Sequence, residues 1–314
     1  MASKSNILMF GATGAIGKYI ISAIVEAKES FGRIAIFTST NTVETKLEQI
    51  EALRQKGVEI ITGNITNDDH VKKAYEDFDT VVCALGRDAI APQIRLIELA
   101  DESPTVKRFL PSEYGTDIEY GPESATEKPH QQKLKVRAAM KKVKNLEYAY
   151  VVTGPYADHP FYVSVIKAAP QLGSFNAQAK KAVLLGDGKG QISLSTCSDV
   201  GKFVVCTLTH WDVARNRALK VNSFTTTPEE ILAEFEKQMG AKWEVEYTPL
   251  AQLQQIEQKL WEKGSPAATV STLRRIWTQG GTLYKKWDNE DIGAVPTETL
   301  SEVVAKSIKA QLAA

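Results

Sequence analysis

The sequence predicts a doubly wound α/β protein: a Rossmann-type parallel sheet with a smaller α/β domain behind it. Three observations carry this. A short apolar run, Ile7 to Phe10, meets glycines at three-residue spacing, Gly11, Gly14 and Gly17. Strand-like and helix-like segments then alternate to about residue 150, which implies right-handed crossovers and parallel strands. After Gly154-Pro155 connections lengthen and large aromatics become frequent. The expected division is 1–153 for the sheet domain and 154–314 for the smaller one, with some later segments returning to the sheet.

The elements follow in order. Tyr19, Ile20, Ala23, Ile24 and Ala27 share one face of a first helix. Arg33–Phe37 reads as the second strand and about 43–55 as a charged helix. Val58–Thr62 is a strand and Asp68–Ala74 helical. Asp79–Ala84 is a buried strand and Ala91–Ala100 a helix. Lys107–Leu110 and Tyr148–Val152 are strands, with a helix over Lys133–Val143 between them. The last helix spans roughly Thr297–Leu312.

The chain has 314 residues, with 38 basic and 38 acidic side chains. Such balance gives no global field to draw nucleic acid or a membrane surface. No apolar run approaches a membrane span. Cys83, Cys197 and Cys206 are an odd count without metal-type spacing, which fits a reducing, cytoplasmic setting and argues against disulfides and a metal site. The expected partners are a small-molecule substrate and, in a homodimer, a second copy of the chain.

A strand, a glycine turn and a helix start aim backbone N–H groups and the positive helix end at a phosphate. The turn Gly11-Ala12-Thr13-Gly14-Ala15-Ile16-Gly17 is therefore the expected pyrophosphate site of a dinucleotide. Gly11 permits the sharp turn, Gly14 leaves room for the phosphate, and Gly17 permits close packing. The second strand ends in Thr38-Ser39-Thr40-Asn41, with Lys46 in the following helix. A carboxylate there would hold a ribose 2′-hydroxyl; hydroxyls and a lysine suit a 2′-phosphate, so the expected cofactor is NADP(H).

Ligands of such sheets lie beyond the carboxyl ends of the strands. Ala84, Leu85 and Gly86 follow the fourth strand, and Pro111 and Ser112 the fifth; both stretches are expected to border the cofactor, as are Gly154, Pro155 and Tyr156. Ser112 and Tyr114 are candidate proton handlers. No tyrosine has a lysine four residues on, so tyrosine-driven carbonyl reduction is not signalled. Lys133 and Arg137 share a helical face, whereas Lys135 points elsewhere. A lysine under apolar cover can exchange protons near neutrality.

Together these residues resemble the isoflavone reductase-like group of atypical short-chain dehydrogenases, within the NmrA-like family. The resemblance rests on Gly11–Gly17, on Lys107-Arg-Phe-Leu-Pro-Ser-Glu-Tyr-Gly115, on the Lys133-x-x-x-Arg137 helix, and on Gly186-Asp-Gly188 leading to Ser198-Asp-Val-Gly201. It implies that Lys133 is the catalytic acid/base and Arg137 a cofactor- or substrate-side contact. It also implies that NADPH gives hydride to a conjugated, aromatic or phenolic molecule. Two departures stand out. Thr38 and Ser39 occupy the place of the group's usual arginine after the second strand, and the substrate half from Gly154 to Phe161 differs from the plant pattern. Two other functions remain open: a non-catalytic NADP(H)-sensing regulator that binds a partner protein, and a nucleotide-sugar epimerase-like enzyme, against which the missing Tyr-x-x-x-Lys pair counts.

Overall fold

Ile7–Phe10 form the first strand (β1), buried along its whole length. Ile7 and Met9 face one core layer, while Leu8 and Phe10 face another. Burial on both faces is why the strand carries no polar alternation. The computed structural model describes residues 4–158 and 160–313. Its large sheet comprises β1, β2 (Ile34–Thr38), β3 (Glu59–Thr62), β4 (Thr80–Cys83), β5 (Arg108–Leu110), β6 (Glu147–Val152) and β10 (Arg217–Lys220). The order is β10-β6-β5-β4-β1-β2-β3, with every neighbouring pair parallel.

Helices α1 (Gly17–Glu26), α3 (Leu47–Gln55), α7 (Cys197–Thr209) and α8 (Trp211–Ala214) cover one face. The other face is covered by α4 (Asp68–Tyr75), α5 (Gln93–Glu102) and α6 (Gln131–Met140). The single helix expected over about 43–55 is instead two, α2 (Thr40–Thr45) and α3, separated at Lys46 with φ −124° and ψ 38°. Ser39 caps the first piece, its hydroxyl accepting the Thr42 N–H at 3.1 Å. The threonine-rich stretch Thr40–Thr45 propagates a helix poorly, whereas Leu47–Gln55 contains good helix formers.

The second half is not a separate block. Residues 197–220 return to the large sheet: α7 packs in the same core layer as α1, and β10 forms the edge beside β6. What remains is a smaller unit. It contains β7 (Ser174–Asn176), β8 (Lys181–Leu185) and β12 (Glu244–Thr248) as one sheet, and β9 (Ile192–Leu194) with β11 (Phe224–Thr226) as an antiparallel pair. Its helices are α9 (Pro228–Met239), α10 (Leu250–Glu262), α11 (Ala268–Thr278) and α12 (Leu300–Leu312). The last helix starts at Leu300, because Thr299 and Glu302 form a reciprocal capping box. No helix among the described residues is long and apolar enough to cross a membrane.

Candidate active site

The glycine turn closes β1 onto α1. Gly11 has φ +80°, and a Cβ there would stand 2.5 Å from the Ala84 carbonyl oxygen. The Gly11 carbonyl accepts the Gly14 N–H at 3.0 Å. A Cβ on Gly17 would lie 2.0 Å from that same carbonyl oxygen, so Gly17 serves the turn itself and not only the helix–strand contact. Gly14 differs: its Cβ would be 3.2 Å from the Gly11 oxygen and 3.6 Å from the Ala84 oxygen. No side chain caps α1 at Ile16. Gly14 is half-buried and an uncapped helix N-terminus follows it, an arrangement that suits an anionic group.

In front of the turn lies a cleft of about 670 Å³. Gly11, Ala12, Thr13, Thr38, Ser39 and Leu85 line it, as do Thr40, Asn41 and Thr42. The sequence reading missed Thr62 to Ile65 and His70, which form the far wall. A signal for them existed: β3 lies parallel beside β2 with Thr62 opposite Thr38, so the end of β3 must border the same cleft. Lys46 is not in this lining, but its Nζ donates to the carbonyl of Thr13, which is, at 2.8 Å. The break between α2 and α3 leaves Lys46 outside both helices.

The loop after β5 connects this cleft to α6. Ser112 donates its hydroxyl to the Leu85 carbonyl at 2.8 Å, and its N–H goes to the Gln93 side chain at 2.8 Å. Ser112 thus ties the loop to the cleft wall. Tyr114 fits the proton-handling role poorly, since its phenol is buried and burial pushes its pKa well up. The next carbonyl, of Glu113, accepts Lys133 Nζ. The Lys133 side chain is half-buried overall, but its ammonium end is enclosed by protein. That burial pushes its pKa down; Arg137 and Arg87 push the same way, and Glu113 opposes them. Lys135 is exposed.

Arg137 requires a correction. The expected cofactor contact is only 2% exposed, and its guanidinium is held by three carboxylates. Nε and Nη2 grip the Glu113 carboxylate at 3.0 and 3.1 Å, and Nη1 meets Asp117 at 3.1 Å and Glu119 at 2.7 Å. Its flat face stacks 4.6 Å from the Tyr150 ring centroid. Four of its five N–H groups are spent on these carboxylates, which leaves little for a ligand. Gly154, Pro155 and Tyr156 are likewise engaged within the protein. The Gly154 N–H donates to the Gly115 carbonyl, the Pro155 carbonyl accepts the Ser195 N–H, and the Tyr156 hydroxyl donates to the Tyr114 carbonyl at 2.6 Å. They brace the loop behind the site. Gly86 is exposed, whereas Ala84 and Pro111 are buried.

His130 lies one turn before Lys133 and is 2% exposed. Its Nδ1 faces the Ser124 carbonyl at 3.1 Å, which sets Nδ1 as the donor and leaves Nε2 as a bare acceptor without a partner. Burial pushes its pKa down, so the ring is neutral. The smaller unit reaches this region through α11: Trp277 donates to the Thr116 hydroxyl at 2.7 Å, and Arg275 pairs with Glu127 at 2.7 Å. A second cavity, about 240 Å³, lies beyond Trp277 and includes Tyr162, Leu185 and Ile192 in its lining. Of the aromatics in the second half, Tyr162 and Trp277 border this cavity, and Tyr162 is at the same time core, as are Trp211 and Trp243. His159 lies outside the described residues.

The family model described as the NmrA-like family matches residues 3–275. An isoflavone reductase of Pisum sativum is 30% identical over 263 residues, which is 79% of this chain and 80% of that protein. A phenylcoumaran benzylic ether reductase of Pyrus communis is 29% identical over 260 residues, 81% of this chain and 80% of that protein. Among solved structures, the binary complex of leucoanthocyanidin reductase with NADPH from Vitis vinifera superposes with a TM-score of 0.81. It is 21% identical and covers 97% of this chain and 99% of that one.

Proposed function

The chain belongs to the NmrA-like family, in its isoflavone reductase-like group, and from that premise we propose an NADPH-dependent reduction of a conjugated aromatic or phenolic small molecule. In this reading Lys133 gives or takes the proton. The observation that carries it is the state of Lys133. Its ammonium end is enclosed, its hydrogen-bond partner is the Glu113 carbonyl, and among the described residues it makes no ion pair. A solvated lysine on a charged helix face, such as Lys135, would have neither the enclosure nor the carbonyl partner. Burial pushes its pKa down, which favours release of a proton.

The cofactor reading is supported by the fit of the residues. The room at Gly14 and the uncapped start of α1 suit a pyrophosphate. Thr38, Ser39 and Lys46 offer hydroxyls and a cation toward a 2′-phosphate at the cleft. When bound, NADPH supplies the hydride. The chain's part is to bind it along the ends of β1, β2 and β4, to exclude water, and to hold the proton at Lys133 Nζ. The odd cysteine count, with Cys83 and Cys197 buried, supports work in a reducing compartment such as the cytoplasm.

The test compares Lys133→Ala, Lys133→Arg and Lys135→Ala in NADPH oxidation, with conjugated phenylpropanoids and quinones as first substrates. Loss of the proton-transfer group should lower turnover by about 10²–10⁴-fold while cofactor affinity changes much less. Arginine should not rescue, because a guanidinium keeps its proton. Equal behaviour of Lys133→Ala and Lys135→Ala would end the reading. Tight NADPH binding without turnover of any substrate would favour the regulator.

A further inference from the structure

The buried charges around Arg137 converge on one residue of the loop after β5. Glu113 is held twice by α6, once at each end of its own structure. Its backbone carbonyl accepts Lys133 Nζ, and both oxygens of its carboxylate are gripped by Arg137, one helical turn later. Glu113 and Arg137 are each 2% exposed. The residue after it, Tyr114, has φ +24°, a strained value for a residue with a side chain. Such a backbone persists only where its surroundings over-determine it. Here the Tyr156 hydroxyl holds the Tyr114 carbonyl, and the N–H groups of Thr153 and Gly154 hold the Gly115 carbonyl at 3.1 and 3.0 Å.

We propose that Glu113 and Arg137 are positioning residues for Lys133: the two-point grip on the Glu113 carboxylate fixes the Glu113 carbonyl against Nζ and sets the charge facing the lysine. This rests on the reading of Lys133 as the proton-transfer group. The same helix face thus carries the proton handler and the clamp that presents its partner. The groups facing Lys133 are Glu113 from the loop, Arg137 from α6, the neutral His130 just before α6, and Arg87 from the segment after β4. Glu113 alone among them favours the ammonium form. Its carboxylate therefore does two separable things: it holds the carbonyl in place and it raises the lysine's affinity for a proton.

Trace acetylation of every lysine over a pH series, read by mass spectrometry, gives the titration midpoint of Lys133 against exposed Lys135 in the same helix. No substrate or cofactor is needed. In the wild type the Lys133 midpoint should lie below that of Lys135. Glu113→Gln keeps the shape and leaves Arg137 with Asp117 and Glu119, and it should move the Lys133 midpoint further down. At a pH below both midpoints, the free amine then rises by roughly three- to tenfold. Glu113→Asp keeps the charge but shortens the reach, and its midpoint should fall by less. A merely structural role gives the opposite sign: a loosened loop admits water, and the midpoint rises toward that of Lys135 in either variant. That result, or no movement, overturns the proposal. Should Glu113→Gln fail to fold, as judged by circular dichroism, the direction of the Glu113→Asp shift decides alone. If Lys133→Ala abolishes turnover while the midpoint ignores Glu113, only the positioning role falls. If the midpoint moves as stated while Lys133→Ala retains turnover, the proton-transfer reading falls instead.

Discussion

Two glycines of one turn should separate folding from binding. A methyl group on Gly17 would sit 2.0 Å from the Gly11 carbonyl oxygen and 2.9 Å from its carbon. Ordinary contact needs roughly 3.5 Å, so the turn would have to open by about 1.5 Å. It has little freedom to do so. Gly11 is fixed at φ +80° with the Ala84 backbone close behind it, and its carbonyl already accepts Gly14. Overpacking of this kind costs about 3 kcal/mol, against a gain of up to about 1 kcal/mol from alanine's better helix propensity. Gly17→Ala should therefore lose about 2 kcal/mol and melt about 4–6 °C lower. Gly14→Val has contacts of 3.2 and 3.6 Å to give way on, so its stability loss should stay within about 1 kcal/mol. If the pyrophosphate lies at this turn as proposed, the side chain takes its space, and NADPH affinity should fall by more than about 100-fold, close to 3 kcal/mol. Thermal unfolding and calorimetric titration of both variants form the assay. Wild-type melting of Gly17→Ala would refute the packing argument, and normal NADPH binding by Gly14→Val would place the phosphate elsewhere.

Further outcomes follow from the charged groups. NADPH should bind more tightly than NADH, and Lys46→Ala should narrow that gap by roughly tenfold, the exposed lysine being partly screened; calorimetry with both cofactors checks it. Arg137→Met should destabilise by about 3–5 kcal/mol, since Glu113 stays buried without its cation and Asp117 keeps only Lys220; urea unfolding that shifts by less than about 1 kcal/mol would contradict the clamp. The fold holds His130 neutral, so unfolding takes up a proton once pH drops below about 6.5, and stability falls from there downward. Between pH 7.5 and 5.5 the wild type should lose more stability than His130→Gln, whose amide can still donate to Ser124; equal losses would mean that the ring is solvated.

Local features of the sheet could be read directly. Ile7–Phe10 is apolar at every position because it is covered on both sides, and the glycines that follow leave few alternatives to a tight turn. Boundaries were harder where two local preferences compete. Thr299-x-x-Glu302 is a capping box visible in the sequence, yet the amphipathic pattern around it suggests an earlier start for α12. Lys46 falls inside a run of helical periodicity, and only the weak propensity of the preceding threonines hints that the helix breaks there. The return of α7 and β10 to the large sheet depends on long-range pairing, such as Leu219 beside Val151, that no window of sequence contains.

The site divides along the same line. Helical spacing alone puts Lys133 and Arg137 on one face, and that part of the reading concerns neighbours in the chain. What each side chain does there depends on Glu113, 20 residues before Lys133, and on whether α6 presents that face to water or to the loop. Periodicity is silent on that choice. A Lys/Arg-rich helix with a solvated face and one with a buried clamp have the same pattern of charges. The discriminating residues are the acids on the other side, Glu113, Asp117 and Glu119, spaced through the loop after β5 so that one guanidinium can meet all three. Glu113 and Asp117 are buried, and buried acids need a cation. Arg137 answers that need, with Lys220 beside it at Asp117, and Lys133 is the basic group of the pair whose partner is a carbonyl.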